Sequence, residues 1–306
     1  MYTTLLLLCI GAMFVEAQIH LATAACGNDP SPIYQATRLA KSLVVSSSPL
    51  HHKVFHVFTD NSKTFLEVFA QAQRSLQSSL ESSHTEIEVH QVPQNHPRVN
   101  LFRKCTILKL DLHALLPTLD SVVWVDADTL FFEDSARLWR LFRLFDSFQC
   151  IGAAQERVVP NTGWYSTGPG QGTPYFDFSW PTGLNSGVLL MNLTRLRASL
   201  FGEAVQKIEA SRPHHMLFPD QDILNIYLNA TPQALYTLPC RWNLRADTRA
   251  DCPTKLARAG IVHGNGGTFR PKEMMASYAS YIDALQPAIP VWSCCNKPGC
   301  NGWCAQ

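Results

Sequence analysis

Two carboxylates one residue apart, Asp126 and Asp128, follow directly on the apolar run Val123-Trp124-Val125. Side chains two apart on a strand share a face. At a strand end, the turn lets both acids reach one cation. Hard oxygen ligands of this kind suit Mg²⁺ or Mn²⁺ better than zinc. A divalent ion held there neutralises a diphosphate and stabilises it as it departs. A pair of acidic caps is the plainer reading, but the apolar flanks on both sides favour a metal site.

The run Ile261-Val262-His263-Gly264-Asn265-Gly266-Gly267 ends a β-like stretch in a histidine followed by glycines. His263 is a candidate third ligand. Glycines such as Gly266 let backbone approach a phosphate closely, and Arg270 is placed to neutralise one. Asp220, Gln221 and Asp222 stand just before an apolar helix. N-terminal capping accounts for one of these carboxylates but not for all three polar groups. In Gly183-Leu184-Asn185-Ser186-Gly187-Val188 the spacing predicts a tight turn into a strand, with the Asn185 amide beside it. No nucleophile elbow, zinc-protease helix or P-loop is present.

These groups must be positioned by the elements around them. Apolar runs predict strands at 19–26, 53–59, 121–125, 151–154 and 188–191, and alternation predicts one at 85–89. Helical spacing predicts helices at about 32–46, from a cap at Ser62 through Leu80, over 101–116, from Ser135, over 194–209, over 222–228 and over 274–285. Strands alternating with helices make a doubly wound α/β sheet, which binds ligands at the carboxyl ends of its strands. The segment 158–182 reads as a long surface loop carrying Trp164, Tyr165, Tyr175, Phe176 and Trp180. Residues 231–260 read as irregular.

The 306 residues carry 25 Lys and Arg against 24 Asp and Glu, with no basic block, so a nucleic-acid partner is not expected. Residues 5–15 have the length of a signal-peptide core, and 1–17 read as a signal peptide or short membrane anchor. Ten cysteines fit an oxidising compartment. Cys26 and Cys150 read as core residues, and Cys240 with Cys252 as a loop-closing disulfide. Cys294, Cys295, Cys300 and Cys304 lie in a tail at 290–306; a zinc knuckle is possible there, disulfides are favoured. A single catalytic domain is expected at 18–289.

In this order, the four pieces resemble family 8 of the retaining glycosyltransferases, over nearly all of 19–285. The shared motifs are the DxD strand, the Asn185-Ser186-Gly187-Val188 segment running to Asn192, and Asp220-Gln221-Asp222 with Leu224 and Asn225. Trp164-Tyr165, Met191 to Arg195, Pro239-Cys240-Arg241-Trp242-Asn243 and His263-Gly264-Asn265 make the chain look most like the animal glucoside xylosyltransferases. The resemblance implies a GT-A type fold, a Rossmann-like, mostly parallel sheet flanked by helices. It implies xylose transfer from UDP-xylose, in α1,3 linkage, to O-linked glucose on EGF-like repeats such as those of Notch, in the Golgi or endoplasmic reticulum lumen. Asp126, Asp128 and His263 would bind Mn²⁺. Ala25, Cys26 and Gly27 would line the uracil site. Lys109 stands where the family usually has an Arg near the donor. Asn185, Asp220 and Gln221 would face the transferred sugar.

The family often has a Lys six positions after the metal His. Here Phe269 stands there, and Arg270 follows. The tail has no counterpart in the family, and almost no stem separates the apolar N-terminus from the first strand. Three competing readings remain. They are a family 8 transfer from UDP-glucose or UDP-galactose, an inactive secreted carbohydrate-binding relative, and a metal-dependent phosphohydrolase.

Overall fold

The computed structural model describes residues 18–27, 31–70, 81, 83–92, 105–157, 183–211, 218–246, 252–253 and 258–265. The predicted signal segment 1–17, the aromatic loop 158–182, the helix 274–285 and the tail lie outside them.

Continuous apolar runs make strands covered on both faces. Seven strands form the main sheet. They are β1 (Ile19–Ala24), β2 (Lys53–Thr59), β3 (Thr85–Gln91), β4 (Ser121–Val125), β6 (Ile151–Gln155), β7 (Leu184–Asn192) and β8 (Leu235–Thr237), in the order β3-β2-β1-β4-β7-β6-β8. Strand β7 alone runs against its neighbours β4 and β6; the remaining pairs are parallel. Three short strands, β5 (Thr129–Phe131), β9 (Leu244–Arg245) and β10 (Ile261–His263), form a second sheet in the order β5-β10-β9.

The strand alternation sorts the core into two layers. Val123 and Val125 join Leu21, Phe55 and Val57 against Ile33, Ala36, Leu39 and Leu43 of helix α1 (Ser31–Ser46). Val122 and Trp124 join Ala22, Phe58, Leu189 and Met191 on the other face. Among the described residues helix α2 runs over 62–70, and its amide Thr64 N is capped by Asn61 Oδ1 at 3.2 Å rather than by the predicted Ser62. The predicted helix over 101–116 is described from residue 105. It is a tight 3₁₀ segment, Thr106–Asp111, that leads into α3 (Leu112–Leu115). Helix α4 (Ser135–Trp139) also tightens, into 3₁₀ geometry over Arg140–Leu144. The predicted helix over 194–209 is broken in two, α5 (Leu193–Ala198) and α6 (Phe201–Ser211), because Ser199 is extended. Helix α7 (Pro219–Ala230) starts earlier than predicted, with Pro at its first turn.

Three sequence expectations need correction. The Asn185-Ser186-Gly187 turn is strand: β7 runs through it, because interior partners satisfy its polar side chains. The irregular region contains β8 and β9. Cys26 is no simple core thiol; it forms a disulfide with Cys105, 79 positions away. Cys240 pairs with Cys252 as expected, and Cys150 is a buried free thiol.

Candidate active site

Strand β4 ends in Asp126. Period-2 alternation turns this carboxylate to the side of Trp124, whose indole Nε1 donates to Asp126 Oδ1 at 2.7 Å. The chain then turns: Thr129 N and Oγ1 donate to Asp126 O at 3.1 and 2.8 Å. Thr129 pairs in register with His263 across the antiparallel β5/β10 pair. Gly264 N donates to Asp128 O at 2.7 Å. The small second sheet therefore delivers His263 onto the DxD turn. His263 Nε2 lies 3.2 Å from Asp128 Oδ1 and 3.8 Å from Asp126 Oδ2. One ligand atom from each of these three residues lies within 4.8 Å of the others.

A chain of amides fixes which imidazole nitrogen would be the ligand. Gly187 N–H can only donate, and it bonds Asn185 Oδ1 at 2.9 Å. The same oxygen accepts from Asn243 Nδ2 at 2.7 Å. Asn243 must then present Oδ1 to His263 Nδ1, 2.9 Å away. Nδ1 thus carries a proton, which leaves Nε2, the nitrogen facing the two carboxylates, as the one that would coordinate a metal. A hydrogen bond that sets a ligand histidine's tautomer in this way is a usual companion of metal binding.

Lys109 lies beneath the site and is fully buried. Its ammonium meets Asp126 Oδ1 at 2.9 Å, Asp220 Oδ2 at 2.7 Å, and Ser186 O and Oγ at 3.2 Å each. Burial alone would lower its pKa, but the Asp126 and Asp220 carboxylates outweigh burial and raise it. The Asp128 carboxyl is pulled up by burial, and His263 and Lys109 hold it below its usual value nonetheless. Three carboxylates, Asp126, Asp128 and Asp220, gather around the one Lys109 ammonium. A divalent cation would offset the excess carboxylate charge, and the donor set of two carboxylate oxygens and one imidazole fits Mg²⁺ or Mn²⁺.

Helix α7 supplies the other wall. Asn225 clamps it to β7: its Oδ1 accepts from Leu184 N at 2.7 Å, and its Nδ2 donates to Leu184 O at 2.9 Å. One turn earlier, Gln221 Oε1 accepts from Ser186 N at 3.0 Å, and Asp220 Oδ2 accepts from Ser186 Oγ at 3.2 Å. Asp222 is the capping acid of the trio: it is fully buried, and its Oδ2 accepts from Phe218 N at 3.1 Å. Glu156, at the end of β6, accepts from Asn185 Nδ2 at 2.8 Å and Gln221 Nε2 at 3.2 Å, and pairs with Arg245.

The structure thus brings together Asp126, Asp128, His263, Lys109, Asn185, Asp220 and Gln221. Asn185 is buried beneath the site, with both ends of its amide engaged by protein groups. Ala25 and Cys26 are buried at the end of β1, and Gly27 takes a left-handed φ of 113° while its N–H donates to Asp60 Oδ1 at 2.9 Å. Gly266 and Arg270 lie outside the described residues. Asn243, Glu156, Arg245 and Ser186 were not assigned to the site from sequence. For Glu156, its place at a strand end was the available signal; for Asn243, only the motif it belongs to.

Solved structures share this architecture. Crystal structures of mouse xyloside xylosyltransferase 1 in its apo form and of the galactosyltransferase LgtC with donor and acceptor sugar analogs superpose with TM-scores of 0.60 and 0.62. They are 18% and 19% identical in sequence. The first match covers 82% of this chain and 99% of that one, the second 90% and 97%. The fold is accordingly of the GT-A glycosyltransferase type. The chain belongs to glycosyl transferase family 8, whose model matches residues 33–271, and it is a glycosyltransferase. Among its relatives, glucoside xylosyltransferase 1 of Danio rerio is 31% identical over 296 residues, and glucoside xylosyltransferase 2 of Mus musculus 32% over 294. Each match covers 87% of this chain but only 67% and 61% of the respective relative.

Proposed function

We propose that this enzyme transfers xylose from UDP-xylose to O-linked glucose on EGF-like repeats of the Notch type, forming an α1,3 linkage with retention. The observation that carries the reading is the convergence of Asp126, Asp128 and His263 in a chain about a third identical to glucoside xylosyltransferases. Those three residues would hold Mn²⁺, which when bound neutralises the UDP diphosphate and stabilises its departure. Ala25, Cys26 and Gly27 would receive the uracil. Gly266 and Arg270 would meet the diphosphate. Asp220 and Gln221 would face the sugar, supported from below by Asn185.

Lys109 bears on the route. A carboxylate paired with a buried ammonium, as Asp220 is, is a weak nucleophile. That pairing favours front-side attack through an oxocarbenium-like ion pair, with Asp220 steadying the positive sugar and the departing phosphate taking the acceptor proton. The two disulfides among the described residues fit the lumen of the endoplasmic reticulum or Golgi. Among the described residues, no helix is long and apolar enough to cross a membrane.

A second reading rests on the likeness to a galactosyltransferase of known structure: transfer from UDP-glucose or UDP-galactose to another glycan. One experiment separates the two. The purified chain receives Mn²⁺, each UDP-sugar in turn, and glucosylated or bare EGF-like repeat, and the product linkage is determined. Xylose in α1,3 linkage on the glucosylated repeat alone supports the proposal. Transfer only from UDP-glucose or UDP-galactose removes it, and a β-linked product overturns retention.

A further inference from the structure

A second group of metal-ligating side chains lies on the main sheet, away from the DxD turn. Glu88 and His90 stand two apart on the edge strand β3 and therefore share a face. His56 on β2 pairs in register with Glu88. His56 Nδ1 lies 3.0 Å from His90 Nε2 and 3.1 Å from Glu88 Oε2, and His90 Nε2 lies 3.6 Å from that same oxygen. Ligands at 2.0–2.1 Å around a tetrahedral zinc ion are separated by about 3.3 Å. The triangle has that size.

The supporting contacts agree. His56 Nε2 lies 3.1 Å from His20 Nδ1 on β1. With the His56 proton on Nε2, donated to His20, the Nδ1 lone pair is free to face the triangle. The Phe58 ring stacks on His90 at a centroid distance of 4.8 Å and orients it. His56 is buried, while the His90 and Glu88 side chains are 31% and 44% exposed, so a solvent water can complete four-coordination. Two imidazoles and one carboxylate suit zinc better than Mn²⁺.

We propose that His56, Glu88 and His90 bind a Zn²⁺ ion that pins the edge strand β3 to β2. The site shares no residue with the catalytic centre, whose Asp126 follows β4, two strands from β2. Among the described residues β3 is the outer strand and pairs only with β2, so a metal ion bridging the two would add a second tie to the ladder.

The test uses the full chain carrying Asp128→Ala, which removes the first site. After dialysis against Zn²⁺, this chain should retain one more zinc ion than the Asp128→Ala/His90→Ala chain, by elemental analysis. Glu88→Gln should weaken zinc binding, and His20→Phe should weaken it by roughly 10–100-fold. With the Asp128 site intact, His90→Ala alone should leave Mn²⁺-dependent donor turnover unchanged, which also reports an intact fold. Co²⁺ in the Asp128→Ala chain should give visible bands of a nitrogen–oxygen site that vanish in His90→Ala. Equal zinc content with and without His90 overturns the proposal. So does a Co²⁺ spectrum with thiolate charge-transfer bands that ignores His90→Ala, which would place the ion on cysteines.

Discussion

The imidazole of His263 lies against the α-carbon of Gly187: a Cβ built at Gly187 would stand 1.9 Å from His263 Cε1 and 2.8 Å from Nε2. Only glycine lets the His263 ring reach the DxD turn over strand β7. Gly187→Ala should displace the ring and lower Mn²⁺ affinity by at least about tenfold, with a comparable loss of donor turnover. Calorimetric titration with Mn²⁺ and a donor-hydrolysis assay check this. Unchanged affinity would mean the ring is not the ligand.

Asn243 sets the tautomer of that ring without being placed to touch substrate. Asn243→Ala removes the acceptor for Nδ1–H, so the proton is free to occupy Nε2 and block the ligand lone pair. A drop of roughly 10–100-fold in Mn²⁺ affinity is expected. Nitrogen-15 shifts of His263 in the metal-free protein should report Nδ1–H in the parent and a tautomer mixture in the variant. A single unchanged tautomer would make Asn243 a packing residue only.

Lys109→Met leaves Asp126 and Asp220 without the ammonium that lies between them. Breaking a buried ion pair by removing one partner costs about 3–5 kcal/mol. The metal-free protein should lose stability on that scale in denaturant titration, and Mn²⁺ should restore part of it. A change below about 1 kcal/mol would show that water already compensates these carboxylates.

The parts of this site that were legible in sequence are those with a local signal. Val123-Trp124-Val125 announces a buried strand, so Asp126 and Asp128 could be placed at its end, and Ile261-Val262 does the same for His263. Asn185 and Ser186 misled, because polar residues ordinarily interrupt a buried strand. Here Asn243, Glu156, Lys109 and Asp220 satisfy them from other elements. Strands of two or three residues such as β9 and β5 are too short to show a period. The Cys26–Cys105 link spans a distance in sequence over which spacing says nothing of pairing.

Oxidative peptide mapping should recover Cys26–Cys105 and Cys240–Cys252, with Cys150 unmodified by alkylating agents in the native state. Burial raises the Cys150 thiol to about 11, against a smaller opposing effect of Arg195, so almost no thiolate forms at neutral pH. On chain-entropy grounds the longer loop contributes about 4.5 kcal/mol and the shorter about 3 kcal/mol. Cys105→Ala should therefore destabilise the fold more than Cys252→Ala. The opposite order would mean that local packing, not loop closure, dominates these links.

Lys41 on α1 gives a prediction whose sign is specific. The residue is only 2% exposed, and burial lowers its ammonium from 10.5 to about 8. Between these values the unfolded chain holds a proton that the folded chain has released. Protonation therefore favours the unfolded state, and this group's contribution to stability rises as pH climbs from about 8 to 10.5. Below about pH 8 both states are charged, and the full cost of a buried ammonium is present. Lys41→Met removes that cost. The variant should exceed the parent in stability at pH 7, and the gap should narrow as pH rises through 8 toward 10.5. Paired urea titrations at pH 7 and pH 10 read the difference directly, because every other group titrates in both proteins alike. A gap that stays constant or widens with pH would show that the Lys41 ammonium is solvated in the folded protein.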